Sequence, residues 1–180
     1  MKIVSILASP RKSGNTGKLI EEVIKGSEEN GASIKKYFLQ ELDTQPCKGC
    51  RRCEQGFECQ LEDDTKEILK SLQDADAVIF GSPIYFSQVS AQAKLLIDRF
   101  YSVFINPNKK FNAKMVLILT HGFPTGTYNK YLDYSAEKTF QLAGFKVVNK
   151  MIVGNLHNIG EINKKYEEKL NEAFEIGKNL

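Results

Sequence analysis

The strongest constraint on the fold is the alternation of short apolar segments with longer amphipathic ones along the 180 residues. Runs rich in β-branched residues predict strands, and segments with helical periodicity between polar starts and glycine stops predict helices. The predicted strands are 2–7, 33–39, 77–81, 114–120 and 145–153. The predicted helices are 16–29, one opened by Asp63-Asp64, 90–102, 128–142 and 161–177. Because apolar strands that alternate with helices pair in parallel, we expect an α/β protein whose five-stranded, doubly wound parallel sheet lies between two helical layers.

Composition limits the classes of function. Apolar residues make up 42% and charged residues 26% of the chain, and no linker or repeat interrupts it, so we expect one globular domain over 1–180 with a cysteine-rich insert at about 44–62. The net charge is only +3 and no basic tract is interleaved with aromatics, so no nucleic-acid partner is expected. The longest apolar stretches, such as 115–119, are too short to cross a bilayer, and no secretory segment precedes the first strand. A cytoplasmic protein with no membrane association is therefore expected.

All four cysteines lie within thirteen residues, as Cys47, Cys50, Cys53 and Cys59 in a C-x2-C-x2-C-x5-C run. Four thiolates around one small volume are the ligand set of a [4Fe–4S] cluster, which is the favoured interpretation. A structural zinc site usually has two separated C-x2-C pairs, and a disulfide is disfavoured in a reducing compartment. Zinc, a disulfide and thiols that bind nothing remain alternatives.

Three cations, Lys48, Arg51 and Arg52, lie inside the cysteine run. They are either ordinary surface charges or a docking site for an acidic redox partner.

Ligands of doubly wound sheets bind beyond the carboxyl ends of the strands, and the first of these loops is rich in anion-binding groups. It joins a strand to a helix N-terminus, where free N–H groups favour phosphate. The candidate residues are Ser9, Ser13, Asn15 and Thr16 as donors and Arg11 as a cation. The loop is neither a Walker A motif nor G-x-G-x-x-G, so a monophosphate is favoured over a dinucleotide. The alternative is a loop whose polar residues only cap the helix.

Two further loops follow the third and fourth predicted strands. The second, from Gly81 to Phe86, carries an extended backbone after Pro83 and two adjacent aromatics, which suits a flat heteroaromatic ring or, alternatively, a core or interface. The third, from Thr120 to Thr127, has two glycines and His121, which is either a proton donor to a reduced ring or an ordinary loop histidine. No role is assigned to His157.

These motifs together resemble a known family. The segment from Lys2 to Thr16 resembles the phosphate loop of the flavodoxin-like NAD(P)H-dependent FMN reductase superfamily. The segment from Gly81 to Phe86, with Lys94 and Asp98-Arg99, is similar to its second motif. With the cysteine run and Asp63-Asp64 between these motifs, the chain resembles the iron–sulfur flavoprotein subfamily over roughly residues 1–105.

The resemblance implies FMN and a [4Fe–4S] cluster as cofactors, with a flavodoxin-like fold. It implies that the FMN phosphate is held by Ser9, Arg11, Ser13, Asn15 and Thr16. The ring would lie against Pro83, Ile84, Tyr85 and Phe86, under the third loop with His121 and Gly122, and the cluster on Cys47, Cys50, Cys53 and Cys59. A homodimer or homotetramer is also implied, with the flavin near an interface and the cluster close to a flavin. Lys94, Asp98 and Arg99 are interpreted as structural or interface residues.

The function expected from this pattern is electron transfer from a donor such as an acidic ferredoxin to oxygen, peroxide or a quinone. No side chain is assigned as an acid, base or nucleophile, because the cofactors supply the redox chemistry. The main alternative is an NAD(P)H-dependent FMN or quinone reductase without a functional cluster. A third possibility is a flavodoxin-like carrier without turnover.

Overall fold

A five-stranded parallel sheet forms the centre of the molecule in the computed structural model, which describes residues 1–106 and 109–180. Its strands are β1 (Lys2–Leu7), β2 (Ser33–Phe38), β3 (Ala77–Tyr85), β5 (Lys114–Thr120) and β6 (Lys146–Val153), and β4 (Gln88–Val89) pairs antiparallel with β3 alone. The order β2-β1-β3-β5-β6 is the flavodoxin-like arrangement. The predicted fold class is confirmed, and β4 is an addition that the sequence pattern did not indicate.

The helices are α1 (Asn15–Glu29), α2 (Thr65–Gln73), α3 (Ala91–Arg99), α4 (Tyr101–Phe104), α5 (Asn129–Ser135), α6 (Glu161–Lys165) and α7 (Glu167–Lys178). Three predicted helices are less regular than expected. The one over 90–102 divides into α3 and α4, the one over 128–142 continues from α5 as a π-helical segment (Ala136–Gln141), and the last breaks at Tyr166, where φ is −142°.

Two apolar cores lie on opposite faces of the sheet. Alternate residues of β3 supply both, because Val78 and Phe80 face one core while Ala77 and Ile79 face the other. One core contains residues of α2 and α3, and the other contains residues of α1 and α7. The helices therefore form the two outer layers of a three-layer structure.

The second candidate loop is a strand in the structure. β3 runs through Tyr85, and Pro83 stays in parallel register with Thr120, so the extended geometry that Pro83 predicts at Ser82 continues for three more residues. The chain then turns back through Phe86 and Ser87, whose φ angles are 45° and 63°. The buried Ser82 hydroxyl accepts the Ser90 N–H at 3.0 Å and holds the base of the hairpin.

Within the described residues, no helix has the length and apolar character needed to cross a lipid bilayer.

Candidate functional site

A cleft of about 280 Å³ opens at the carboxyl ends of β1, β3, β5 and β6. It is lined by Ser9, Arg11, Gly14, Asn15, Thr16, Pro83, Ile84, Tyr85, Thr120, His121, Gly122, Leu156, His157 and Ile159. Nine of the eleven residues predicted to bind a cofactor lie in this wall, and Ser13 and Phe86 do not. The sheet therefore brings together three loops that are far apart in sequence, as its topology predicts.

One corner of the cleft is the N-terminus of α1. Gly14 precedes the helix with an extended backbone and no side chain caps the first turn, so N–H groups there remain available to a ligand. The preceding loop is held by its own bonds, because Ser9 Oγ accepts the Arg11 N–H at 3.1 Å and Gly14 N–H donates to Arg11 O at 3.1 Å. Arg11 is exposed beside this corner. These features suit an anion such as a phosphate.

The predicted donors in this loop have different roles in the structure. The Asn15 side chain donates to Asn158 O at 2.8 Å and accepts from Ile162 N–H at 3.2 Å, so it ties α1 to the loop before α6. Thr16 shares a buried 2.7 Å hydrogen bond with Thr120. Because the side chains of Ser9, Asn15 and Thr16 are all engaged in hydrogen bonds within the chain, the backbone N–H groups and Arg11 are better placed to meet a phosphate.

The opposite wall of the cleft is the end of β3 and its hairpin. Pro83, Ile84 and Tyr85 line the wall, whereas Phe86 at the turn is fully exposed. Two tyrosines brace the hairpin: Tyr128 OH lies 3.0 Å from Ser87 Oγ, and Tyr131 OH accepts the Val89 N–H at 2.9 Å.

His121 lies in the floor of the cleft and is only 4% exposed. Neither ring nitrogen has a well-formed hydrogen bond within the described part of the chain. Burial lowers the pKa of His121, and the nearby backbone of Phe123 offsets part of that effect. Its neighbour Gly154 must be glycine, because a Cβ there would lie 2.5 Å from His121 Cε1. Since buried polar groups normally find partners, this buried imidazole fits a ligand that brings hydrogen-bonding groups to the floor of the cleft.

A fourth loop, after β6, also lines the cleft and was missed by the sequence analysis. It contributes Leu156, His157 and Ile159, and His157 Nε2 lies 3.3 Å from Asn155 Oδ1. The position of this loop could have been predicted, because β6 ends at the same edge of the sheet as β1, β3 and β5.

A separate cavity of about 60 Å³ is lined by all four cysteines. Their thiols form no disulfide, and Cys53 and Cys59 are half-buried. Burial raises the pKa of the Cys53 thiol, as do the charges of Cys47 and Cys50, while backbone N–H groups at Cys53 and Glu54 act against this rise. All four cysteines of the run therefore line one cavity.

The distances between these side chains are relevant to which metal group the cavity could hold. Within residues 1–106 and 109–180, no three His, Cys, Asp or Glu side chains are close enough to hold a single metal ion. A zinc site needs four sulfurs about 2.3 Å from one ion. A cubane has one iron per thiolate, so its four ligands surround a larger volume; four cysteines line the cavity, which is the number of ligands that either group needs.

Both ends of the cysteine insert are anchored by the acidic pair that the sequence analysis assigned to a helix start. Asp63 forms a buried ion pair with Arg99, at 2.7 Å to Nη1, and accepts the Gln45 N–H at 2.9 Å. Asp64 accepts the Asp43 N–H at 2.8 Å. Burial alone raises the pKa of Asp63, but the hydrogen bonds from Arg99 and Gln45 outweigh it and hold that pKa below its usual value. The pair closes the insert into a loop.

The three basic residues of the insert differ in their partners. Arg51 is paired with Glu54 at 2.9 Å, while Arg52 donates to Gln60 at 3.1 Å and lies over the Phe57 ring. Among the described residues, Lys48 and Arg52 have no acidic partner. The positive surface that the sequence predicts is therefore reduced to these two side chains.

The cleft and the cysteine cavity lie at opposite ends of α3. The helix begins beside the β3–β4 hairpin and ends at Arg99 in the cavity wall, and nine residues span about 13 Å. Lys94 and Asp98 form an ion pair on its exposed face, in keeping with a structural role. Within the described residues, no side chain lines both sites.

The strand order and the cleft at the carboxyl ends of the strands, beside the uncapped N-terminus of α1, define a flavodoxin-like α/β protein. The family model described as NADPH-dependent FMN reductase matches residues 1–155, and the chain belongs to this family.

Curated relatives confirm the resemblance to the iron–sulfur flavoprotein subfamily. The chain is 42% identical over 99 residues to iron-sulfur flavoprotein MJ1083 of Methanocaldococcus jannaschii, covering 55% of this chain and 51% of that protein. It is 39% identical over 99 residues to an iron-sulfur flavoprotein of Archaeoglobus fulgidus, covering 55% and 45% respectively. The chain thus spans about half the length of the curated relatives it matches.

Among solved structures, the NAD(P)H:quinone oxidoreductase from Methanothermobacter marburgensis superposes with a TM-score of 0.81 at 19% identity. The match covers 99% of this chain and 95% of that one. At this identity, the likeness shows a shared fold.

Proposed function

We propose that this chain is a redox flavoprotein with FMN in the cleft and a [4Fe–4S] cluster in the cysteine cavity. The donor is a ferredoxin-like protein, and the acceptor is a small molecule such as oxygen, peroxide or a quinone. The observation that carries the proposal is that all four cysteines line one cavity in a chain of an FMN reductase family.

When bound, FMN exchanges one or two electrons and a cubane exchanges one, so the pair connects one-electron donors with two-electron acceptors. The chain's own contribution is binding and orientation. The N–H groups at the start of α1 and the Arg11 guanidinium meet the phosphate charge. The β3 segment from Pro83 to Tyr85 would support the flavin ring, and His121 would offer it a buried ring nitrogen as a hydrogen-bonding group.

The two cations without acidic partners are the proposed docking point for the acidic donor. We expect Lys48→Glu/Arg52→Glu to slow FMN reduction by an acidic ferredoxin about tenfold at low salt, because attraction becomes repulsion. The difference should shrink as salt screens the charges. Anaerobic stopped-flow over a salt series measures this effect.

Lys138→Glu/Lys164→Glu is the control, since it makes the same change in net charge at exposed positions on other elements. Equal slowing by both double variants would show that only net charge matters, and would contradict a docking site at the insert.

The mouth of the cleft is proposed to be covered by a second copy of the chain. Exposed apolar side chains surround it, with Phe86 at 105%, Ile159 at 60% and Phe123 at 58% exposure. Phe86 also keeps a left-handed backbone, which a bulky residue adopts only at a cost of about 1–3 kcal/mol.

We expect Phe86→Asn to weaken self-association at least tenfold, because aromatic anchors dominate interfaces. Asparagine tolerates the left-handed backbone, so the folded chain should not lose stability. Sedimentation velocity over a concentration series measures the effect, and Tyr134→Asn, which removes another exposed ring, is the control. Unchanged association in Phe86→Asn would contradict this interface.

The alternative function is an NAD(P)H-dependent FMN or quinone reductase in which the cysteines hold no cluster. The family description favours it, since it names NADPH and FMN without a metal. Anaerobic purification followed by FMN, iron and acid-labile sulfide analysis separates the two functions. About four irons and four sulfides per chain are expected. FMN without iron would support the alternative, and zinc would overturn the cluster assignment.

A further inference from the structure

Arg99 is a deeply buried charged residue in the wall of the cysteine cavity, with its side chain 1% exposed. Its terminal nitrogens are engaged: Nη1 donates to Asp63 at 2.7 Å and to Gln45 O at 3.1 Å, and Nη2 donates to Asp63 at 3.2 Å. Its Nε–H has no hydrogen-bond partner anywhere in the described residues. An unsatisfied buried donor on a charged group is unusual and costly.

The unsatisfied donor belongs to a side chain in the wall of the cysteine cavity. Arg99 lines that cavity with all four cysteines. Burial lowers the pKa of Arg99, but the hydrogen bond to Asp63 and the proximity of Cys59 raise it overall. Cys59 and the guanidinium thus line the same cavity, while Asp63 holds the terminal nitrogens of the guanidinium.

The guanidinium fork is held in one orientation by this arrangement. Bidentate pairing with a buried carboxylate leaves the planar group little freedom to turn, so Nε–H cannot move to another partner. A donor held in this way stabilises negative charge on a ligand sulfur without needing to reorganise when an electron arrives.

We propose that Arg99 donates an Nε–H hydrogen bond to Cys59 as a cluster ligand and thereby raises the cluster's reduction potential. This inference rests on the proposed [4Fe–4S] site. Hydrogen bonds to the sulfurs are one of the factors that set the potentials of iron–sulfur clusters. The donor favours the reduced form because that form carries one more negative charge. Arg99 is thus both an anchor of the insert and a residue that sets the potential.

Arg99→Lys separates the effect on the reduction potential from the anchoring of the insert. Lysine keeps a positive charge that can pair with Asp63, but it lacks the guanidinium and therefore the Nε–H donor. An anaerobic redox titration followed by EPR measures reduction of the cluster. In the variant, we expect the equilibrium constant for reduction to fall about tenfold, in favour of the oxidised cluster. For a one-electron couple this shift corresponds to about 59 mV. Ser102→Ala, which removes another polar group from the same cavity wall, should leave the potential unchanged.

The outcomes distinguish this inference from the proposed function. Wild-type protein without iron and sulfide would overturn both. Wild type and Arg99→Lys that each carry about four irons with the same potential would overturn the inference alone.

A second measurement covers the case in which Arg99→Lys fails to assemble a cluster. The chain has four arginines, and Arg51→Lys/Arg52→Lys leaves Arg99 as the only one near the cysteines. With ¹⁵N-labelled arginine in that background, pulsed EPR of the reduced cluster should detect a nitrogen coupling. Its absence would overturn the hydrogen bond.

Discussion

Replacing Cys53 with alanine is expected to leave well under one iron per chain after anaerobic purification, against about four in the wild type. Cys53 is half-buried and lies beside Cys47 and Cys50, so its substitution removes a proposed cluster ligand that neighbours two others. FMN content should not change, because the cleft has no wall residue in common with the cavity in the described residues. Iron, sulfide and FMN analysis on one sample measures all three quantities.

The matched control for this substitution is Ser102→Ala. Ser102 lines the same cavity and its hydroxyl donates to Arg99 O at 2.9 Å, but it has no sulfur to offer a metal. Iron should stay near the wild-type level in this variant. Wild-type iron content in Cys53→Ala would contradict the cluster site, and loss of FMN in the same variant would contradict the independence of the two sites.

Replacing Gly17 with alanine is expected to weaken FMN binding at least tenfold. A Cβ at this position would lie 2.2 Å from Lys12 O, a backbone atom, so the loop over residues 11–14 must move away from the start of α1. That movement separates Arg11 from the helix N–H groups that are proposed to meet the phosphate. Overpacking of this kind also costs about 1–3 kcal/mol of folding stability. Quenching of FMN fluorescence by the apoprotein measures the affinity, and urea unfolding measures the stability.

Gly26→Ala controls for the stability loss. Gly26 lies in the same helix, and a Cβ there would lie 2.0 Å from Phe174 O of α7, far along the chain from the phosphate loop. We expect comparable destabilisation with FMN affinity within about twofold of the wild type. If the two variants bound FMN equally well, the proposed binding corner at the start of α1 would be wrong.

The hydrophobic pattern predicted the sheet well, because the central strands β1, β3 and β5 are nearly continuous apolar runs, whereas the edge strands β2 and β6 carry lysines among their apolar residues. The same information did not reveal the β3–β4 hairpin. Phe86 and Ser87 occupy left-handed turn positions that asparagine and glycine usually fill, so the turn lacks its usual sequence signal. Tertiary contacts from Tyr128 and Tyr131 hold it instead, and local propensity does not register such contacts.

The candidate site was predictable where topology alone determines position. Parallel strands end at one edge, so the loops after β1, β3 and β5 had to meet there, and the loop after β6 was overlooked although the same rule applies to it. The partners of individual side chains were not predictable. From the sequence, Asp63 is expected to favour the start of a helix, yet it pairs with Arg99, thirty-six positions away. Asn15 is expected to donate a hydrogen bond to a phosphate, yet its side chain is hydrogen-bonded to the backbone of Asn158 and Ile162.

Electrons are proposed to reach FMN through the cysteine site, and anaerobic stopped-flow reduction tests this route. Wild type and Cys53→Ala, both loaded with FMN, are mixed separately with a reduced ferredoxin and with NADPH. Ferredoxin is expected to reduce the flavin rapidly in the wild type and at least tenfold more slowly in the variant. Rapid reduction by NADPH at the same rate in both proteins, with no dependence on Cys53 when ferredoxin is the donor, would contradict this route.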